Sequence, residues 1–376
     1  MMWLLLFALT ALVVLLPMLP AIAEWRRPTD VVPLYIDTLD ALDPPYLARS
    51  FVARLATAIA AGQTQLGRSP IAVVGQGADL PLDEAERRAA TSWRVWHIEG
   101  DAELPAGMSF LAELAAQGEL HAATRGVYRA LWAGDRLQLA AHSTVLRWGH
   151  GAQVDVAAGC RLAGRVSADE CIHIAGQASF TLLHAPTLRF APATAATPAV
   201  AAAPAGLAQM AFRLGLPDEV DWDPAAARGT CNEPLDIADY SAWRGDLVCR
   251  ADLWLGTGCN VMGSLKAHGD IVVDPLSVVT GSIVAEGSIE LGHGCEVRGL
   301  VISETSIRLG AGCVIGAPGQ PSTVAAPRIE VAPGVVVHGT VWAGEQGQST
   351  ANAQLPESSG PQAADRPRAP VGELMQ

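Results

Sequence analysis

Between Asp252 and Glu345 apolar and polar residues alternate with a period of two, and the alternation itself recurs every 18 residues. Asp252–Gly269, Asp270–Gly287 and Ser288–Thr305 are three such segments. Ser306–Pro327 follows with four extra residues, and Arg328–Glu345 returns to 18. The apolar positions within a segment are 2, 4, 8, 10, 14 and 16. Position 10, for example, reads Val261, Val279, Val297, Ile315 and Val337, and glycine recurs at position 12 as Gly263, Gly281, Gly299 and Gly339. A period of two is strand alternation, not a helical stripe. Three short strands per segment, parted by Gly, Asp or Pro, predict an all-β triangular parallel β-helix. Such a solenoid rises about 4.8 Å per coil, and its coils bury their apolar faces only by stacking. Ala267, Ala285, Ser303 and Ala343 at position 16 fit a tight corner.

The same template fits Gln153–Glu170, through Val154, Val156, Cys160, Leu162 and Gly164. The chain therefore divides into a first β-helix block (125–190), an Ala/Pro-rich insertion (191–232), a second block (233–345) and a polar, aperiodic tail (346–376) expected to be disordered. One solenoid interrupted by a long loop is the reading taken. Residues 24–124 follow another pattern. Tyr46, Phe51, Leu55 and Ile59 have helical spacing, Ile71–Gly75 and Trp93–Ile98 read as strands, and Pro81–Ala90 as a short helix. A small α/β cap over the first end of the solenoid is expected here. Asp37, Asp40 and Asp43 read as turn and N-cap residues, since their spacing is not that of an EF-hand loop.

Met1–Ala23 has no charged side chain. As a helix it would span about 34 Å, enough to cross a bilayer. Trp3 and Trp25 flank it, Leu4 and Leu16 lie within it, and Arg26 and Arg27 follow it. The positive-inside rule then predicts a single-pass membrane anchor with the bulk of the chain cytoplasmic. A signal peptide cleaved near Ala23, with an exported β-helix surface protein as product, competes with this. The lack of a basic residue before the apolar run argues against it.

Composition adds exclusions. The net charge of −13 lacks the basic stripes that nucleic acid or an anionic lipid surface requires. The seven cysteines form no CxxC, so a zinc ribbon is not predicted. Cys160, Cys259, Cys295 and Cys313 all fall at position 8 and read as small core residues, in one ladder with Val261, Val279 and Val297. Cys295 and Cys313 sit on adjacent coils, where a disulfide is conceivable but disfavoured in a reducing compartment.

Candidate chemistry is sparse. Leu255-Gly-Thr-Gly-Cys-Asn and Leu291-Gly-His-Gly-Cys-Glu fit the hexapeptide pattern of left-handed acyltransferases. Such an enzyme needs a general-base histidine. His268, His293 and His338 occupy positions 17, 6 and 11, and nothing in the sequence pairs them with a carboxylate. His173, His184 and His268 lack zinc-ligand spacing. No G-x-S-x-G occurs. No catalytic, cofactor or metal site and no small-molecule substrate is predicted, and the acyltransferase-like enzyme is kept as the alternative.

Gly263-Ser-Leu-Lys-Ala267, Gly281-Ser-Ile-Val-Ala285 and Gly299-Leu-Val-Ile-Ser303, each followed by an I/L-x-V/L strand, resemble the G-x-I-x-A repeats of bactofilins, the polymer-forming bacterial cytoskeletal family. The resemblance covers 235–345 well, 126–190 less well, and 24–120 not at all. It implies a right-handed β-helix that polymerises end to end without nucleotide and associates with the inner membrane. The implied function is a non-enzymatic scaffold with itself and envelope-related proteins as partners. The extra N-terminal region and the insertion depart from the family pattern, and a cap would restrict assembly to dimers.

Overall fold

The computed structural model describes residues 43–77, 79–191 and 213–350, together with 2, 3, 16–18 and 26. Residues 1–43 and 44–376 are separate compact units, and the solenoid belongs to the second. It is a parallel β-solenoid of about 13 turns with ~18 residues per turn.

Each coil contributes to three walls. Along the upstream half, wall I carries the inward residues Phe110, Tyr128, Val145, Leu162 and Phe180. Wall II carries Trp96, Leu114, Leu131, Val166 and Leu183. Wall III carries Leu120, Leu137, Val154, Ile172 and Leu188. Downstream, strands of two to four residues build the same prism until its last coils. Leu253–Leu255, Asn260–Met262 and Leu265–Ala267 form one coil, each strand pairing with its counterpart 18 residues on. The four extra residues of the fourth repeat fall in a corner turn closed by the Ala317–Gln320 bridge.

Corners explain much of the sequence. Asp252 Oδ1 accepts the Asp270 N–H at 2.8 Å, and Asp270 Oδ1 accepts the Ser288 N–H at 2.6 Å. Asp101 and Asp239 do the same for Glu119 and Thr257. These aspartates are acceptors for the coil above, a more specific role than turn formation: they satisfy N–H groups that the interrupted ladder leaves over. The position-12 glycines form a column in which no Cβ fits. A Cβ on Gly263 would overlap the carbonyl of Gly245, and one on Gly281 that of Gly263.

The solenoid begins earlier than the sequence pattern indicated. Ser69–Val74 pairs in parallel with Val95–Ile98, and Ala102–Glu103 with Leu120–Ala122. Most of the region expected to be an α/β cap is thus solenoid wall. Nor does its helix close the end. Tyr46–Ala60 lies along the outside of wall II, with Ala48, Phe51 and Leu55 against Val95, Ala112, Ala130 and Trp148. The reason is compositional: these outward positions are apolar and need a cover. Downstream, Arg228–Cys231 already pairs in parallel with Asp246–Cys249, so the end of the expected insertion is the first coil of the second block. Residues 192–212 and 351–376 lie outside the described residues, whereas Gln346–Ser349, expected in the tail, completes a strand of wall I.

The two blocks run in opposite directions. The last strand of the upstream block, Ala178–Ala191, pairs antiparallel with the last strand of the downstream block, Val336–Ser349, around all three walls. Phe180 faces Gly347, Leu183 faces Val341 and Leu188 faces Val337. Two coils of one hand meeting tail to tail circulate in opposite senses seen from one end. The antiparallel seam therefore means that both blocks share one hand. Glycine is required at 347 because a Cβ would enter the Phe180 ring.

Candidate interaction surfaces

The position-8 ladder is core. Cys160, Cys259, Cys295 and Cys313 are buried, as are Val261, Val279 and Val297, and all seven cysteines are free thiols. Cys313 Sγ donates to the Gly292 carbonyl at 3.0 Å, and the neighbouring Cys295 thiol together with burial pushes the Cys313 thiol well above its ordinary range. Burial, with the Asp239 and Asp274 carboxylates nearby, raises Cys259 to about 11. Gly164, Gly263, Gly281, Gly299 and Gly339 each sit where a Cβ would strike the backbone of the preceding coil.

Of the anchor residues, Trp3, Leu16 and Arg26 are described, and Leu4, Trp25 and Arg27 are not. Leu16–Met18 is a short 3-10 turn. Among the described residues no helix is long and apolar enough to cross a membrane.

The histidines pair differently from the sequence reading. His268 Nδ1 lies 2.6 Å from Glu286 Oε1 on the next coil, a half-exposed pair at a corner. That corrects the expectation that no carboxylate meets it. His293 and His338 lie at other corners, and His338 Nδ1 is 3.1 Å from the Pro186 carbonyl across the seam. His184 Nδ1 meets Thr340 Oγ1 at 2.9 Å, also across the seam. Among the described residues no group of three or more His, Cys, Asp or Glu is placed to hold a metal ion.

One constellation was not visible in the sequence. His150 Nδ1 is 2.9 Å from Ser167 Oγ, His150 Nε2 is 3.5 Å from Asp169 Oδ2, and Arg49 binds Asp169 at 3.0 Å. The residue types are those of a nucleophile–base–acid relay, brought together because 150 and 167 are neighbours on adjacent coils. Its order is wrong for that chemistry: a relay uses Nε2 towards serine and Nδ1 towards the acid. Ser167 is 2 % and His150 3 % exposed, so the hydroxyl has no room for an acyl group. Burial holds the His150 imidazole below its ordinary range, with Asp169 opposing. The cluster instead fastens the start of the Tyr46–Ala60 helix to wall II, helped by Arg165, which donates to the Pro44 carbonyl at 3.2 Å.

The solenoid ends are the remaining surfaces. Both C-terminal coils are consumed in the seam. The free ends are therefore the two starts. Leu235–Ile237 pairs only with Leu253–Leu255 among the described strands, leaving its other edge open. Beside it, Asp221–Asp223 adds an exposed antiparallel strand to wall II. Charged short edge strands of this kind discourage indiscriminate pairing. No protein-family model, no curated protein and no solved structure matches the chain.

Proposed function

We propose that the protein is a non-enzymatic, bactofilin-like scaffold, anchored to a bacterial inner membrane through Met1–Ala23, with the solenoid on the cytoplasmic side. It associates with itself through solenoid ends and presents the walls to envelope-related proteins. The observation that carries this reading is the seam, in which complete coils of this sequence join end to end through backbone pairing on three walls. Because the seam uses both C-terminal ends, further association is start to start, through edges such as Leu235–Ile237.

Electron microscopy and analytical ultracentrifugation of the full chain test it. About 13 turns at about 4.8 Å give a unit of about 60 Å. Rods in multiples of that length, lost in Asp236→Pro, are the expected result. Single units at high concentration would remove self-association from the proposal. Turnover of an acyl donor by the purified chain would overturn its non-enzymatic part in favour of the acyltransferase-like alternative.

A further inference from the structure

Wall II differs from the other two on its outer side. Wall III turns Glu103, His121, Gln138, Asp155, His173 and Arg189 outwards in one row. Wall I downstream turns out Glu290, Arg308 and Glu330. Wall II is apolar. Upstream its outward row includes Val95, Ala130 and Trp148, buried under the Tyr46–Ala60 helix. Downstream the same row continues across the seam through Leu182, Trp342, Ala325, Ile302 and Val284. No described helix covers it there. Val73, Trp93, Leu146, Met262, Leu300 and Trp342 are large apolar side chains left exposed, and all lie on wall II or its bordering corners. Trp342 alone is 57 % exposed.

We infer that the downstream half of wall II is a docking groove for an amphipathic α-helix of a partner protein. The chemistry of that helix follows from the half already occupied. The 15-residue helix Tyr46–Ala60 is about 22 Å long and crosses the strands from Ile71 to Arg165, five steps of about 4.8 Å. The uncovered row from Leu182 to Val248 offers six steps, about 29 Å, which a helix of about 19 residues spans. The resident helix buries Ala48, Phe51 and Leu55 and offers Arg49 to Asp169 at the edge of the wall. The downstream wall is bordered by Glu286, which meets His268, and by Glu304. The partner helix thus carries an apolar stripe at i, i+3 or i+4, and i+7, with an acidic residue where it crosses Lys266 and arginine or lysine along the Glu304 edge.

The probe is a labelled synthetic peptide of residues 45–61, the basic amphipathic helix that packs on the upstream half of this wall, titrated into the full chain with fluorescence anisotropy as readout. Saturable binding is expected, weakened by about tenfold or more in Ile302→Asp and in Trp342→Ser and unchanged in the wall III variant Gln138→Glu. Trp342 is exposed, so its replacement leaves folding intact even if Ile302→Asp does not. Three outcomes overturn the inference. The first is no saturation, or affinity in both wall II variants equal to that of the unmodified chain. The second is that those variants abolish only a concentration-dependent self-association, which assigns the wall to a second copy. The third is that they abolish only pelleting with vesicles, which assigns it to a lipid surface.

Discussion

The two halves of the solenoid reach one cross-section by different means. Downstream, coils before the seam region are built from strands of two to four residues and glycine corners, with inward side chains that are mostly aliphatic. Upstream, single strands such as Arg161–Ala175 run 15 residues through the corners, with register shifts where they bend. The upstream core is aromatic: Trp96, Tyr128, Phe110, Phe180 and Phe190 head the largest fully buried side chains. Phe110 and Tyr128 stack on adjacent coils with centroids 5.9 Å apart. Coils of identical aliphatic residues stack in strict register, and only glycine then fits the corner column. Coils of mixed bulk need bulges to accommodate each layer, and the bulges supply the bend.

The largest way to break that comparison is a side chain in the corner column. Gly281→Val would drive its Cβ into the Gly263 carbonyl with no bulge to absorb it. A loss of about 4 kcal/mol is expected, read as collapse of the denaturation midpoint. Upstream, a Cβ on the corner glycine Gly164 meets the Arg147 carbonyl in the same way, whereas one on the inward-facing wall II residue Gly149 meets nothing closer than Leu137 Cδ2 at 3.5 Å. Gly149→Ala should shift stability by less than about 1 kcal/mol.

The same contrast decides what could be read from the sequence. Downstream the inward residues keep fixed offsets, so position 8 identified Cys259, Cys295 and Cys313 as core and position 12 identified the glycine column. Upstream the offset is 18 between Phe110 and Tyr128 but 17 from Tyr128 to Val145 and from Val145 to Leu162. A template of constant length loses its phase there and does not resolve the coils from Ser69 to Ala122. One signal persists in both halves: an aspartate, a glycine 17 residues later and an N–H donor one further on. Asp101/Gly118/Glu119 and Asp270/Gly287/Ser288 share it. The seam was out of reach, since a repeat carries no mark of the direction in which its block meets another. The His150–Ser167–Asp169 cluster depends on adjacency of coils in the phase-slipped half, and was hidden for that reason.

The seam is the next place to test the difference. Phe180 is the upstream residue that fills the space left by Gly347 of the downstream block. Phe180→Ala should lose about 3–4 kcal/mol. Because the deleted contact joins the blocks, chemical denaturation should change from one transition to two, with hydrogen exchange identifying which half opens first. A single unbroken transition would mean that the blocks are coupled by more than the seam residues.

Where the halves share a device, they should respond alike. Asp101→Ala and Asp270→Ala each remove the acceptor of one coil-to-coil N–H. Both should cost about 1 kcal/mol, Asp270→Ala slightly more because Ser288 Oγ also donates to it at 2.9 Å. Unequal losses would show that the long upstream strands hold their corners without the aspartate.

The smallest effect expected is one of pH in the upstream half. Desolvation lowers the affinity of His150 for a proton in the folded chain, and does the same for His97, whose Nδ1 is buried without a partner. Asp169 and Glu99 pull the other way, and Arg49 adds to the depression at His150. Above the ordinary histidine value of about 6.5 both states are neutral and nothing is lost. Below it the unfolded chain takes up protons that the folded chain refuses, so stability falls progressively as pH drops towards the folded values. His150 lies beside the Asp169 that binds Arg49 of the wall II helix, so the loss should appear first as release of that helix. Hydrogen-exchange protection factors across Tyr46–Ala60 should fall between about pH 7 and 5. In His150→Gln, which keeps a hydrogen-bonding group towards Ser167 but cannot be charged, the pH dependence should shrink to the part contributed by His97. Exchange in Asp252–Glu345 should show no matching change. A downstream response as large as the upstream one would locate the titration outside wall II and remove His150 as its cause.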